Sequence, residues 1–268
     1  MAMEFFDTHA HLTWKDFEGE VDATIARAQA AGISKIITIG TTAESSRRAV
    51  EIADTHENVF AVVGWHPGDA EDAPRDFCSE LRKLASHPKA VAIGETGLDY
   101  YRLPSKSGGT AEQDVAIKKR QAEIFEEQMN LAAEFGLNAV IHTRESFADT
   151  IEIVRRYAGR VRTVFHCFVE DAASMRAVLE TGGLVSFTGI CTYKNAQVIR
   201  DTIAATPTDR LMLETDSPFL APVPYRGKRC EPAYVKEISE AVAQLKNCTL
   251  SELSHATCAT ARNFFPKM

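Results

Sequence analysis

The chain has 268 residues, of which 45% are hydrophobic, so it can bury a sizeable core, and we expect residues 1–268 to form one domain. Its formal net charge of −7 argues against a surface built for broad, non-specific adhesion to nucleic acid. A local basic patch or bound metal ions can still hold a phosphate-bearing substrate, whereas no apolar stretch approaches the roughly 18 residues that a membrane helix needs.

Eight short runs of apolar, β-branched or aromatic residues alternate with longer segments of helical pattern. The runs are continuously apolar or nearly so, which is typical of parallel strands that are buried on both faces. The predicted strands cover residues 5–11, 33–39, 59–64, 90–94, 138–141, 162–165, 183–187 and 210–213.

Seven helical patterns separate the strands and two more close the chain. In the fourth, apolar residues such as Ile124 and Met129 recur at helical spacing, while glutamates such as Glu123 and Glu127 take the other face. The predicted helices cover about residues 20–31, 43–55, 75–86, 112–136, 145–158, 170–181, 195–205, 231–246 and 251–264. Eight strand-then-helix units predict an α/β fold of the (β/α)8 TIM-barrel type. An open doubly wound sheet is the alternative, which the lack of a Gly-x-Gly-x-x-Gly motif after the first strand disfavours.

Five of the eight histidines fall at or just past the carboxyl ends of predicted strands. His9 and His11 end the first strand and, because strand side chains alternate, point to the same face. Two carboxylates share this placement, and all such ends meet on the rim where barrel enzymes build their sites. The clustered residues are His9, His11, His66, Glu95, His142, His166 and Asp216. The other three histidines, His56, His87 and His255, are expected on the surface.

Four histidines and two carboxylates are more ligands than one tetrahedral zinc ion takes. The set suits two divalent ions that share a bridging carboxylate. A polar hydrogen-bond network without metal is the alternative. His66 has two equally open roles, a contact with substrate or a brace for the site.

Seven segments that contain these residues resemble the TatD family of metal-dependent deoxyribonucleases, within the amidohydrolase superfamily. They occur in the family's order from residue 5 to residue 232, and together they are highly specific. The matching motifs are Asp7-Thr8-His9-Ala10-His11, Gly64-Trp65-His66-Pro67, Ile93-Gly94-Glu95-Thr96-Gly97-Leu98-Asp99-Tyr100-Tyr101, His142-Thr143-Arg144-Glu145, His166-Cys167-Phe168, Leu213-Glu214-Thr215-Asp216-Ser217-Pro218 and the segment 221–232.

The resemblance implies a two-metal site. In it, one ion is held by His9, His11 and Asp216, the other by His142 and His166, and Glu95 bridges the two. The chain departs from the family pattern in two places near the rim. Val169-Glu170 replaces a Ser-Gly pair, and Cys230 replaces an asparagine before Glu231-Pro232. Neither change affects an implied ligand. The two changes therefore leave the substrate preference open, but not the chemistry.

The resemblance also implies a reaction, the hydrolysis of phosphodiester bonds in DNA by a metal-activated water. We expect a 3′–5′ exonuclease that acts on single-stranded DNA or on a free end, with Asp216 as general base and Glu95 as the bridging catalytic carboxylate. Histidine-rich ligation favours zinc as the bound metal, whereas magnesium or manganese could serve in function.

For several residues outside the ligand set, two alternative roles are open. Arg226, Lys228 and Arg229 follow the eighth strand and either bind flanking phosphates or form a solvated basic loop. Glu214 shares a strand face with Asp216 and either orients a ligand or forms a rim salt bridge. The cysteines, including Cys167 and Cys191, are expected to be reduced thiols that serve packing.

Two other functions are compatible with the same residues. One is a hydrolase of a small amide, lactone or phosphate ester, which would keep the metal cluster and need no basic rim. The other is a metal-dependent binding module without turnover. The first residues, Met1-Ala2-Met3-Glu4, do not resemble a signal peptide, so we expect a cytoplasmic protein with no membrane contact and no obligate protein partner.

Overall fold

The computed structural model describes residues 3–268, which form eight parallel strands surrounded by helices. The strands are β1 (Phe5–Ala10), β2 (Ile33–Ile39), β3 (Val59–Val63), β4 (Ala90–Asp99), β5 (Asn138–Arg144), β6 (Thr163–Phe165), β7 (Leu184–Phe187) and β8 (Leu211–Leu213). The helices are α1 (Val21–Ala30), α2 (Ala43–Thr55), α3 (Phe77–Ala85), α4 (Ala111–Phe135), α5 (Phe147–Tyr157), α6 (Ala172–Glu180), α7 (Gln197–Ala205), α8 (Val235–Lys246) and α9 (Leu250–Phe264).

The strands follow one another in the sheet in chain order, from β1 to β8, and every neighbouring pair is parallel. The segment after β8 closes the sheet onto β1: the Asp216 N–H donates to the His9 carbonyl at 2.9 Å, and the His11 N–H donates to the Ser217 carbonyl at 2.7 Å. The predicted (β/α)8 barrel is therefore confirmed, and the doubly wound alternative is wrong because the strand order never reverses.

Apolar side chains form two layers, one inside the barrel and one between strands and helices. Adjacent residues of a strand face opposite layers, so Ile37 belongs to the inner cluster and Ile36 to the outer one. Phe264 and Phe265, at the end of α9, join the inner cluster, and the Cys258 thiol contacts the carbonyl of Glu4 just before β1. Helix α9 thus covers the amino-terminal end of the barrel and leaves the carboxyl end for the site.

The pairing of β1 with β2 shifts register between Asp7 and Ala10. Phe6 lies in the inner cluster, yet Ala10, an even number of residues later, packs in the outer one. The shift therefore reverses, before the end of β1, which residues of the strand face the inside of the barrel. As a result His9 and His11 point into the mouth of the barrel.

Two strands extend further than the sequence pattern predicted. β4 continues from residue 94 to Asp99 and β5 from residue 141 to Arg144, and the two extensions pair with each other. Gly97 makes this pairing possible, because a Cβ at its φ of +141° would lie 2.0 Å from the His142 carbonyl oxygen. Both extensions carry polar residues above the rim.

No helix within residues 3–268 is both long and apolar enough to cross a bilayer.

Candidate metal centre

Six side chains with metal-ligating atoms converge at the carboxyl ends of five strands. β1 supplies His9 and is followed by His11, β4 carries Glu95, and β5 carries His142. The loops after β6 and β8 supply the last two, His166 and Asp216. The structure thus brings together the whole predicted ligand set, with His9 and Glu95 only 0% and 3% exposed.

The first ligand group consists of His9, His11, Asp216 and one oxygen of Glu95. The Nε2 atoms of His9 and His11 lie 3.3 Å apart. Glu95 Oε2 is 3.4 Å from His9 Nε2, and Asp216 Oδ1 is 3.2 Å from His11 Nε2. Four potential ligand atoms from three parts of the chain therefore face one point.

The second ligand group consists of His142, His166 and the other oxygen of Glu95. Glu95 Oε1 is 2.8 Å from His142 Nδ1 and 2.7 Å from His166 Nε2, and these two nitrogens are 3.2 Å apart. Each oxygen of the Glu95 carboxylate thus faces a different group of histidines, as a bridging ligand must.

The two groups fit divalent ions by spacing and by chemistry. Ligands at the usual zinc distances of a tetrahedral ion lie roughly 3.3 Å from one another, which is close to the separations within both groups. Without an ion, the facing Nε2 atoms of His9 and His11, 3.3 Å apart, form a hydrogen bond only if one of the two rings carries its proton there. A cation that faces the two Nε2 atoms accepts a lone pair from each and balances the charge of the carboxylates.

Both carboxylates are ionised, as metal ligands require. Burial alone would raise the pKa of Glu95, but the nearby imidazoles of His166 and His142 lower that pKa well below its ordinary value. Burial also opposes ionisation of Asp216, and hydrogen bonding and attraction to His11 and His9 lower its pKa.

His66 lies beside the second ligand group with its proton position fixed. Its Nδ1 accepts the Gly68 N–H at 2.9 Å, so in the neutral ring the proton is on Nε2, which lies 3.5 Å from Glu95 Oε1. Burial and the neighbouring His142 lower the pKa of His66 to about 3, which keeps the ring neutral. His66 is therefore a hydrogen-bond donor that faces the site, and it lines the cleft above it.

Two further carboxylates lie beside the histidines of the second group. Asp99 Oδ2 lies 3.2 Å from His142 Nε2. Glu214, which is 1% exposed, accepts the Cys167 N–H and the Ser186 hydroxyl at 2.6 Å each and lies 3.7 Å from His166 Nδ1. Its contacts are with buried groups and not with a lysine or arginine of the described chain, so Glu214 does not form a rim salt bridge.

Sequence reasoning missed Asp99 and Asp7. Asp7 is fully buried and accepts hydrogen bonds from the Thr215 N–H and hydroxyl, at 2.9 and 2.5 Å, which joins β1 to the segment after β8. Asp99 could have been found, because it lies two alternations beyond Glu95 on the same face of β4. Nothing local in the sequence indicates the partner of Asp7.

The cleft above the two groups has a volume of about 350 Å³. Its lining includes two arginines, Arg102 and Arg144, but none of the three basic residues of the loop after β8. Arg229 donates to Glu20 and Glu231 at 2.8 and 2.9 Å.

The other basic residues of that loop lie away from the cleft. The Arg226 guanidinium stacks 4.3 Å from the centre of the Tyr193 ring, and Lys228 is exposed.

Histidines and cysteines outside the ligand groups take structural positions. His56 and His87 are half-buried near Asp22 and Asp54, and His255 is exposed on α9. Burial raises the pKa of both the Cys167 and the Cys191 thiols, the latter to about 12, so neither is a thiolate near neutral pH.

Comparisons with known proteins agree with this geometry. The family model for TatD related DNase matches residues 6–266. The uncharacterized metal-dependent hydrolase YabD of Bacillus subtilis is 36% identical over 261 residues, which cover 97% of this chain and 98% of the relative. The 3′-5′ ssDNA/RNA exonuclease TatD of Erwinia tasmaniensis is 33% identical over 267 residues, which cover 97% and 99%.

Among solved structures, the crystal structure of YJJV, a TatD homolog from Escherichia coli, superimposes with a TM-score of 0.90. The two share 27% sequence identity, and the match covers 99% of each chain. The chain belongs to the TatD family of metal-dependent hydrolases.

Proposed function

We propose that this hydrolase is a nuclease that removes nucleotides from the 3′ end of single-stranded DNA. The observation that carries the proposal is the position of Glu95, whose two oxygens face separate histidine groups beneath a cleft that Arg102 and Arg144 line. Hydrolysis of a phosphodiester needs both features, a site for a Lewis acid that polarises a phosphoryl oxygen and cations that balance the phosphate charge. The exonuclease name of the Erwinia relative supports the same assignment.

In this proposal His9, His11 and Asp216 would hold one divalent ion and His142 and His166 a second, with Glu95 facing both groups. Such ions, when bound, lower the pKa of water from about 15.7 toward 7 and polarise a phosphoryl oxygen. Histidine-rich groups favour zinc, although magnesium or manganese could support turnover.

The chain's own residues position the reactants and move the proton. Asp216 lines the cleft, is ionised and accepts the proton of the attacking water. The Nε2–H of His66 donates a hydrogen bond to a phosphoryl oxygen. Asp99 fixes the ring orientation of His142 through the contact with Nε2, whereas Glu214 lies 3.7 Å from His166 Nδ1 and acts on that ring by its charge.

The basic loop after β8 has a divided role. Arg226 and Lys228 are exposed on the rim and contact phosphates of strands that extend beyond the cleft. Arg229 instead joins the loop to Glu20, next to α1.

The test is hydrolysis of end-labelled single-stranded DNA by the metal-loaded protein, with a chelator-treated sample alongside. Stepwise, chelator-sensitive shortening from the 3′ end supports the proposal. Hydrolysis of a small phosphate ester or lactone without attack on DNA would indicate the small-molecule hydrolase. Metal uptake without turnover of any of these would indicate a binding module.

A further inference from the structure

Two large aromatic side chains are exposed side by side at the cleft. Trp14 and Phe219 are 39% and 40% exposed, and their ring centres lie 5.0 Å apart with an interplanar angle of 84°. Both line the same cleft as the ligand groups. Rings of this size usually bury most of their apolar surface, so an exposed pair beside a reaction centre is suited to a ligand with an apolar face.

The backbone fixes both rings relative to the metal centre. Trp14 lies three residues after His11, and its N–H donates to the His11 carbonyl at 3.1 Å. Phe219 lies three residues after Asp216, and its N–H donates to the Asp216 carbonyl at 2.9 Å. The two ring centres are 6.4 and 6.1 Å from that of His11. A ligand that touches the rings therefore also reaches the first ligand group.

Another part of the cleft lining is cationic. Arg144 lies two residues after His142 on the same face of β5, and Arg102 lies in the loop after β4. Neither forms an ion pair within residues 3–268, in contrast to Arg229. The Arg144 guanidinium stacks 3.6 Å from the centre of the Tyr101 ring, which occupies its face and leaves its N–H edges for an anion.

We propose that Trp14 and Phe219 form a platform that binds one unpaired nucleobase, while Arg102 and Arg144 bind the adjoining phosphates. The inference rests on the proposed nuclease function and names the contacts that select its substrate. Every base has a π face, so stacking tolerates any sequence but requires the base to be unpaired. The platform thus explains how a protein of net charge −7 binds DNA through a few nucleotides instead of a broad basic surface.

The test combines aromatic variants with abasic substrates. For Trp14→Ala/Phe219→Ala, we expect the KM for single-stranded DNA to rise on the order of 5- to 150-fold, while kcat changes less than about threefold. The single variant Trp14→Phe, in which Phe219 is intact, keeps an aromatic face at position 14. It should therefore retain most of the wild-type affinity that the double variant loses. Wild-type protein should show a similar KM increase when the terminal nucleotides are abasic. The double variant should no longer distinguish abasic from normal strands.

The matched control is Val198→Ala, which shortens a 55%-exposed apolar side chain of α7 outside the cleft. The control should have the wild-type KM. An unchanged KM in the aromatic double variant, or equal wild-type KM values for normal and abasic strands, would overturn the platform and leave the nuclease proposal intact.

A binding measurement separates the two proposals if the wild-type protein cleaves no DNA. Fluorescence anisotropy of labelled single-stranded DNA with the metal-loaded protein then tests the platform directly. Binding that is weakened by Trp14→Ala/Phe219→Ala and by abasic nucleotides supports the platform although the nuclease proposal fails. Binding that is absent, or independent of the two rings, overturns it.

Discussion

The imidazole rings of His9 and His166 are stacked face to face, with their centres 4.0 Å apart and an interplanar angle of 8°. The two rings belong to different ligand groups and come from non-adjacent strands of the barrel, β1 and the end of β6. Because the rings are stacked and Glu95 contacts both groups, the position of one ligand group depends on that of the other. A change that displaces one ring should therefore disturb both proposed metal positions.

Replacing the bridging carboxylate tests this coupling. In Glu95→Gln, we expect bound metal to fall from two ions per chain to one or fewer and hydrolysis to fall by more than about 100-fold, because a neutral amide cannot hold both ions. Metal analysis after gel filtration measures the first effect. The exposed Glu152→Gln on α5 is the control. Two tightly bound ions in Glu95→Gln would contradict a bridging role.

The contact between Asp99 and His142 predicts a graded effect on the second ligand group. Asp99→Ala leaves His142 Nε2 without its partner at 3.2 Å, so metal affinity at this group should fall about 10- to 100-fold. Asp99→Asn keeps an acceptor oxygen and should recover much of that loss. Competition titration with a chromophoric chelator measures the affinity. Equal affinities in Asp99→Ala and the wild type would show that Asp99 does not position His142.

Glu231 should contribute to stability rather than to DNA binding. Its carboxylate accepts two hydrogen bonds from Arg27 at 2.6 and 3.0 Å and one from Arg229 at 2.9 Å, which ties the loop after β8 to α1. Glu231→Gln should lower the free energy of unfolding by about 1–2 kcal/mol, as measured by urea denaturation. An unchanged free energy of unfolding together with weaker DNA binding in Glu231→Gln would contradict this assignment.

The same carboxylate predicts a pH dependence. Burial alone would raise the pKa of Glu231, but hydrogen bonds and attraction to Arg27 and Arg229 lower it below 4.5. The folded state therefore binds this proton less tightly than the unfolded chain, so the stabilisation is complete above about pH 4.5 and is lost as the pH falls through the lower, folded-state pKa. The stability difference between wild type and Glu231→Gln should shrink on acidification, and a constant difference would contradict this account.

The dependence of DNA affinity on salt distinguishes the arginines of the cleft from the basic loop. Each phosphate contact to a single strand contributes roughly 0.7 to the slope of log affinity against log salt. Arg102→Gln/Arg144→Gln should reduce that slope for both a trinucleotide and a 20-mer. Arg226→Gln/Lys228→Gln should reduce it only for the 20-mer. A loss in the trinucleotide slope from the loop variant would place Arg226 or Lys228 in the cleft.

The sequence predicted the barrel and the position of the ligand-type residues because both depend on local patterns. Apolar runs indicate buried strands, and a histidine or carboxylate at the end of a run lies on the shared rim. The extensions of β4 and β5 were not predicted, since residues 94–99 contain glycine, threonine and aspartate, which are uncommon or polar in buried strands. Gly97 is required there because the strands approach too closely for a Cβ.

Partners that are distant in sequence could not be predicted. Arg229 belongs to a basic run whose composition fits phosphate binding, yet it pairs with Glu20, 209 positions away. The exposed pair of Trp14 and Phe219 likewise forms only when the segment after β8 closes against β1. Such contacts depend on how loops fold over the rim, which no short pattern of residues encodes.

The inner cluster and the two phenylalanines at the end of α9 have a mechanical consequence for a polymeric substrate. Because side chains fill the barrel and close its amino-terminal end, the cleft is a blind recess and not a tunnel. Under the proposed nuclease function, a DNA strand therefore cannot thread past Glu95 through the barrel. Under the same proposal, substrate and product both enter and leave on the open side of the cleft, at the carboxyl ends of the strands.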